Sequence, residues 1–155
     1  MTKILFLFFL SMVPIIELRG AVPIGLGWGL PFWLVYLVSV IGNLVPVPIL
    51  IPFAGKVLHF CAELPKIGFI FQKILEIGDK KVKKALSSNH ALMFALYVFV
   101  AIPAPGTGAW TGCLIATLLK MKVREAFLPI AAGVATAGLI MGAASYGVLG
   151  LIGLA

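Results

Sequence analysis

Two short motifs interrupt apolar stretches of this chain: Glu17-Leu18-Arg19-Gly20 and Pro103-Ala104-Pro105-Gly106-Thr107-Gly108. Each lies near the middle of a segment that would otherwise be long enough to cross a membrane, which takes about 20 apolar residues in a helix. Charged side chains and unpaired backbone groups are costly there unless protein or a water-filled cavity surrounds them. We therefore predict that the motifs are the tips of two re-entrant helical hairpins, which meet at a polar site.

The composition is that of an all-α integral membrane protein. Hydrophobic residues make up 62% of the 155 residues, charged residues make up 11%, and the mean hydropathy is +1.16. Soluble domains are only roughly 45 to 50% apolar. The chain leaves too little polar sequence for a separate soluble catalytic domain, so we predict a single membrane domain over residues 1–155. We expect a multi-pass protein of the cell membrane with no nucleic-acid partner.

The first half, residues 1–58, is predicted to contain a hairpin and then a spanning helix. Residues 4–16 and 21–30 are the arms of the hairpin, and the first motif is its turn. Residues 32–57 are long enough to span, but glycine and prolines near the middle predict a kinked or broken helix. Asn43 lies just before this break, where its amide meets freed carbonyl groups or a cavity.

Residues 59–89 are a basic linker between the halves. Seven of the twelve Lys and Arg residues lie between Lys56 and Asn89. Apolar residues recur at three- and four-residue intervals between positions 67 and 77, and lysines fill another face, which predicts a basic amphipathic helix on the membrane surface. Its lysines either attract anionic lipid headgroups, at about 1 kcal/mol each, or simply hold the linker in the cytoplasm.

The second half, residues 90–155, follows the same plan. Residues 90–102 and 110–119 are the arms of the second hairpin, and residues 126–154 are a spanning helix rich in small residues.

Small residues in the last helix predict a close helix contact. Gly138 and Gly142 are four residues apart, as are Ala143 and Gly147. Such pairs let two backbones approach closely, in the same chain or in a second copy. We predict self-association as a homodimer.

The two motifs align with each other. Superimposing Gly20 on Gly108 gives an offset of 108 − 20 = 88 and places Arg19 on Thr107. One membrane crossing separates the hairpins, so they enter from opposite sides, which predicts an inverted repeat. The basic linker and the basic turn after residue 119 then lie on one side, which the positive-inside rule makes cytoplasmic, and both termini lie outside.

The segments from Glu17 to Pro23 (ELRGAVP) and from Pro103 to Gly112 (PAPGTGAWTG) resemble the two signature motifs of the small multidrug export protein family. That family is similar to a compact branch of the DedA superfamily, and the resemblance extends over nearly the whole chain. It implies paired re-entrant hairpins. The DedA relatives imply transport of undecaprenyl phosphate or related lipids, whereas the family name implies export of small molecules.

The predicted site draws on both motifs. A guanidinium is a planar fork of donors suited to phosphate, so Arg19 is the expected anion ligand. Glu17 either pairs with Arg19 in the empty site or carries a proton. Helix N-termini after the turns add backbone donors. The predicted substrate-binding residues are Glu17, Arg19, Gly20, Asn43, Pro105, Gly106, Thr107, Gly108 and Thr111. The alternative is a permanent Glu17–Arg19 ion pair that only fixes the hairpin tip.

Three functions agree with these patterns. The first is a transporter or flippase for a small anionic-headgroup lipid such as a polyprenyl phosphate, coupled to an ion or proton. The second is a small-molecule exporter with Glu17 as the coupling carboxylate. The third is a membrane scaffold that transports nothing. No Ser/His/Asp, metal-ligand or phosphate-loop pattern supports an enzyme, and we expect no cofactor or metal.

Overall fold

The computed structural model describes residues 1–62, 89–104 and 106–151. In these ranges every regular element is a helix. The helices are α1 (Thr2–Met12), α2 (Glu17–Gly27), α3 (Phe32–Leu44), α4 (Val47–Ala62), α5 (Asn89–Ala101), α6 (Ala109–Leu118) and α7 (Val123–Leu151). The amphipathic helix predicted for the linker falls outside the described residues.

The break in the first half lies earlier than the sequence predicts. α1 ends at Met12. The ring of Pro14 disfavours the helical conformation of the residue before it, and Val13 is accordingly extended, with φ −73° and ψ 129°. Residues 13–16 form the turn. The motif that begins at Glu17, which we predicted as the turn, is instead the first turn of α2. The charged pair is therefore carried by a helix.

The break in the predicted spanning segment is confirmed. α3 ends at Leu44 and α4 begins at Val47, with Pro46 between them. The two prolines that follow sit differently. Pro48 lies in the first turn of α4, where a proline removes no helical hydrogen bond, whereas Pro52 lies inside the helix.

The second half follows its predicted arms closely. α5 and α6 each begin and end one residue before the predicted limits, and α7 begins three residues before its own. Between α5 and α6 the described residues of the 102–108 loop are not helical. Pro103 brings no backbone N–H, and Gly106 has φ +83°, a left-handed conformation that glycine adopts without strain.

The outer surface is apolar, as expected of a protein in lipid. Phe32–Lys56 and Val123–Val148 are long and apolar enough to cross a membrane. Large apolar side chains such as Phe9, Trp33 and Leu128 are 57 to 66% exposed. A water-soluble monomer rarely exposes so much apolar surface, whereas lipid solvates it. These features point to a membrane location.

The helices of the two halves pack in corresponding pairs. α1 packs against α2 and α3, and α5 packs against α6 and α7. Close approach at corresponding crossings depends on glycine. A Cβ on Gly25 of α2 would lie 3.0 Å from Leu7 of α1, and one on Gly112 of α6 would lie 2.8 Å from Val100 of α5. Between the halves, α2 packs against α7 and α6 packs against α4.

The glycines that we predicted for self-association pack inside the chain. A Cβ on Gly138 would lie 2.9 Å from the ring of Tyr36, and one on Gly142 would overlap the ring of Phe32. Both glycines therefore form a seam between α7 and α3. Gly147 has open space around it. Formation of a homodimer stays a prediction.

Candidate functional site

Glu17 and Arg19 form an ion pair where the two halves meet. Arg19 Nη1 donates to Glu17 Oε2 at 3.1 Å. Glu17 is 5% exposed, and the side chain of Arg19 is 17% exposed. Two charges removed from water in this way are stable only if further hydrogen bonds satisfy them. The second half of the chain provides those bonds.

The carboxylate of Glu17 caps the N-terminus of α6. Its Oε1 accepts from the backbone N–H of Trp110 at 3.3 Å, and the N–H of Ala109 also donates to the carboxylate. The first N–H groups of a helix lack partners within the helix, and the N-cap residue of α6 is Gly108, which has no side chain. Glu17 supplies the missing cap, and its negative charge complements the positive end of the helix.

The guanidinium of Arg19 binds the C-terminal end of α5. Its Nη2 donates to the carbonyl oxygens of Val100 and Ile102 at 3.3 and 2.9 Å. Carbonyl groups at a helix C-terminus lack partners within the helix, and a cation there also complements the negative end of the helix dipole. The Glu17–Arg19 pair therefore stabilises both helix ends that the break in the second half creates.

Thr107 and Gly108 of the 102–108 loop lie against the pair. Arg19 Nη2 donates to Thr107 Oγ1 at 2.9 Å. The same hydroxyl lies within hydrogen-bonding distance of the carbonyl oxygens of Ile102 and Ala104, at 2.6 and 2.9 Å. A Cβ on Gly108 would overlap the carboxylate of Glu17, so a glycine is needed for this carboxylate to reach the helix end.

Asn43 approaches the pair from α3. It is 2% exposed and lines a gap too narrow for a water molecule, together with Glu17, Arg19, Val100 and Gly108. Its Oδ1 has no hydrogen-bond partner among the described residues, and neither has Arg19 Nε. The site thus contains one buried acceptor and one buried donor that no described residue satisfies.

A comparison with protein-family models finds one that matches residues 17–140, described as "Putative small multi-drug export protein". The chain belongs to this family. The match confirms the resemblance seen in the two motifs, while the relation to the DedA superfamily stays a prediction. Searches of curated proteins and of solved structures give no match. The family description indicates a transporter rather than an enzyme, and it fits small-molecule export better than lipid transport.

Some of the predicted site residues of this family member lie apart from the ion pair. Thr111 is half-buried on α6 and is not among the groups that bind the pair. Gly20 lies in the first turn of α2 beside Ile16, and Gly106 is exposed in the loop. Pro105 falls outside the described residues. A substrate-binding role for any of the predicted residues stays a prediction.

The sequence did not reveal the backbone groups that bind the pair. The carbonyls of Val100 and Ile102 and the N–H of Trp110 carry no side-chain signature. The available signal was Pro103, which ends α5 and so leaves the preceding carbonyls without helical donors. The indole N–H of Trp110 donates to the carbonyl of Met12 at 3.1 Å and so joins α6 to the end of α1.

The chemistry available here is that of one carboxylate and one guanidinium. Among the residues that the structure describes, no three His, Cys, Asp or Glu side chains lie close enough together to hold a metal ion. Cys113 is a free, buried thiol on α6. Of the carboxylate and the guanidinium, the carboxylate is the one that can take up and release a proton, because a guanidinium stays protonated.

Proposed function

We propose that this protein exports small organic molecules and that Glu17 is the carboxylate that couples export to proton movement. One observation carries the proposal. The buried carboxylate of Glu17 is shared between Arg19 of its own helix and the N-terminal N–H groups of α6 in the other half. The protonation state of one group thus bears directly on the contact between the halves.

Proton binding weakens each of these contacts. A neutral carboxyl group attracts neither the guanidinium of Arg19 nor the positive end of α6 as a carboxylate does. In the proposed cycle, ionised Glu17 holds the 102–108 loop and its two helix ends against α2. Protonated Glu17 releases them. The halves then move apart around the pair, and the narrow gap widens.

The walls of the gap favour a lipophilic substrate. Leu18, Val100, Val134 and Ala137 line it beside Glu17. Arg19 lines the same gap, so a cationic substrate would take the place of Arg19 at the carboxylate. An apolar wall with such an acidic group suits an organic cation that also has a large apolar surface, because burial of apolar area supplies affinity and the charge orients the molecule. We therefore propose lipophilic organic cations as the substrate class.

Transport of a polyprenyl phosphate, our first expectation from sequence, has less support. Arg19 already donates to Glu17 through Nη1 and to Thr107 and two carbonyl oxygens through Nη2, which leaves Nε and one hydrogen of Nη1 for a phosphate. An anionic headgroup would have to displace the carboxylate from both Arg19 and α6. The DedA relationship belongs with this alternative, as does transport of membrane lipids in general.

We propose further that the chain is one multi-pass membrane domain built as an inverted repeat of re-entrant hairpins. The corresponding helix pairs of the two halves support this arrangement. Cysteines placed at residues 1 and 155 should both react with an impermeant reagent outside intact cells. Reaction from opposite sides would contradict the repeat.

Export can be tested in proteoliposomes. We expect an imposed pH gradient to drive uptake of a fluorescent organic cation such as ethidium. Glu17→Gln should abolish the dependence on the gradient in a folded protein, because an amide cannot bind a proton reversibly. Glu125→Gln, which neutralises a carboxylate at the start of α7, is the matched control and should transport normally. Normal coupling in Glu17→Gln would contradict the proposal. Movement of a polyprenyl phosphate without movement of the cation would favour the lipid alternative.

A further inference from the structure

Asn43 brings an unused hydrogen-bond acceptor to the site of Glu17. Its side chain is 2% exposed, and Oδ1 has no partner among the described residues. Asn43 and Glu17 line the same gap. Buried polar atoms of native proteins nearly always have a partner, so an acceptor that lacks one calls for an explanation.

The ionised form of Glu17 explains why this acceptor is unused. A carboxylate only accepts hydrogen bonds, and Glu17 accepts from Arg19, Ala109 and Trp110. It has no hydrogen to offer to Asn43. A proton on either carboxyl oxygen creates an O–H group, and this new donor needs a buried acceptor nearby.

We infer that Asn43 Oδ1 is that acceptor, and that the Glu17 carboxyl and the Asn43 amide together form the binding site for the coupling proton. The inference rests on the proposed function and adds the second half of the proton site. The proton adds to one carboxyl oxygen, and the resulting O–H donates to Asn43 Oδ1. When the carboxyl group turns toward Asn43, it moves away from Arg19 and from the N-terminus of α6. Proton binding is thereby linked to release of the halves.

Among the described residues, few other groups near Glu17 carry charge or titrate. Arg19 on α2 contacts it directly, and the thiol of Cys113 on α6 is the other titratable group that interacts with it. The tyrosines of the neighbouring helices bond elsewhere: Tyr36 of α3 donates to the carbonyl of Ala135, and Tyr97 of α5 bonds to Thr136. Protonation of Glu17 should therefore set the pH midpoint of transport, and a substitution at Asn43 should shift that midpoint.

The decisive variant is Asn43→Leu, which removes the acceptor at similar side-chain size. Losing an acceptor for the protonated form makes protonation harder. The pH midpoint of ethidium transport should therefore fall, by about 0.5 to 1 pH unit for one hydrogen bond. Ser39→Ala is the matched control. Ser39 lies one turn earlier on α3, is buried and also lacks a partner for its hydroxyl, but it does not line the gap. Its midpoint should stay at the wild-type value.

A second measurement does not depend on transport. Infrared difference spectra between high and low pH should contain the C=O band of protonated Glu17, identified by its absence in Glu17→Gln. In Asn43→Leu this band should move to higher frequency, as for a carboxyl group that has lost its hydrogen-bond acceptor. If Asn43→Leu fails to fold, Asn43→Ala removes the same acceptor without adding bulk.

The outcomes separate this inference from the proposed function. An unchanged midpoint and band in folded Asn43→Leu would overturn the inference, even if its thermal stability falls, because the amide would then be structural only. Transport that requires Na⁺ instead of a pH gradient would also overturn it. Continued proton coupling in Glu17→Gln would instead refute the proposed function.

Discussion

The breaks in the two halves differ in what they contribute to the site. The first, at residues 13–16, is a short turn after Pro14, and the helix that follows begins with Glu17 and Arg19. The second, at residues 102–108, is longer and has no charged residue. The first half therefore supplies charged side chains, and the second supplies unpaired helix ends. The two breaks form one site because the charged side chains of the first bind the unpaired backbone groups of the second.

Removal of Arg19 should have the largest effect on this contact. Arg19→Ala leaves a buried carboxylate without its cation and the end of α5 without donors, and breaking one partner of a buried pair typically costs about 3 to 5 kcal/mol. Arg19→Lys should be less stable than the wild type but more stable than Arg19→Ala, because an ammonium keeps the charge but loses the planar fork of donors. Thermal unfolding in detergent measures both. Arg124→Ala, at an exposed arginine, is the control, and equal stability of these two alanine variants would contradict the capping role.

A double-mutant cycle separates a working pair from a purely structural one. Glu17→Gln should cost less than Arg19→Ala, about 1 to 2 kcal/mol, because the amide oxygen still accepts from the N–H of Trp110. The double variant Glu17→Gln/Arg19→Gln should recover part of the stability lost in Arg19→Gln, since no buried charge remains unpaired. It should still lack proton-coupled transport. Proton-coupled transport by the double variant would show that the pair has only a structural role.

Gly108 tests whether the carboxylate must reach the helix end. Gly108→Ala places a methyl group where the Glu17 carboxylate lies, and such overpacking typically costs about 1 to 3 kcal/mol. Gly147→Ala adds the same methyl group in open space on α7 and should change stability by less than about 0.5 kcal/mol. Equal unfolding temperatures for these variants would show that Glu17 does not cap α6.

The smallest effect is expected at Thr107. Thr107→Val keeps the shape and removes the hydroxyl that binds Arg19 and the loop carbonyls, at a cost of about 1 kcal/mol. Thr111→Val makes the same change at a threonine outside the cluster and should be close to neutral. A larger loss in Thr111→Val than in Thr107→Val would mean that the site extends along α6 instead of across the break.

Much of the fold could be predicted because its signals are local. The prolines at positions 46 and 103 mark interruptions that the structure contains, and α5 and α6 lie within one residue of the limits predicted for the arms of the second hairpin. The prediction misplaces the first turn because it puts the break at the two charged residues. Pro14 is the stronger local signal, since proline acts on the backbone of the residue before it, whereas charges are compatible with a helix.

The sequence by itself determined the membrane class, the places where helices break, and the presence of one acidic and one basic residue beside a break. These follow from composition and from backbone chemistry that acts over a few residues. Only the tertiary structure decided the partners of Glu17 and Arg19. Those partners are backbone groups and a hydroxyl 81 to 93 residues away, at the ends of α5 and α6. Every residue has an N–H or a carbonyl group of this kind, so which of them face the pair depends on how the halves pack.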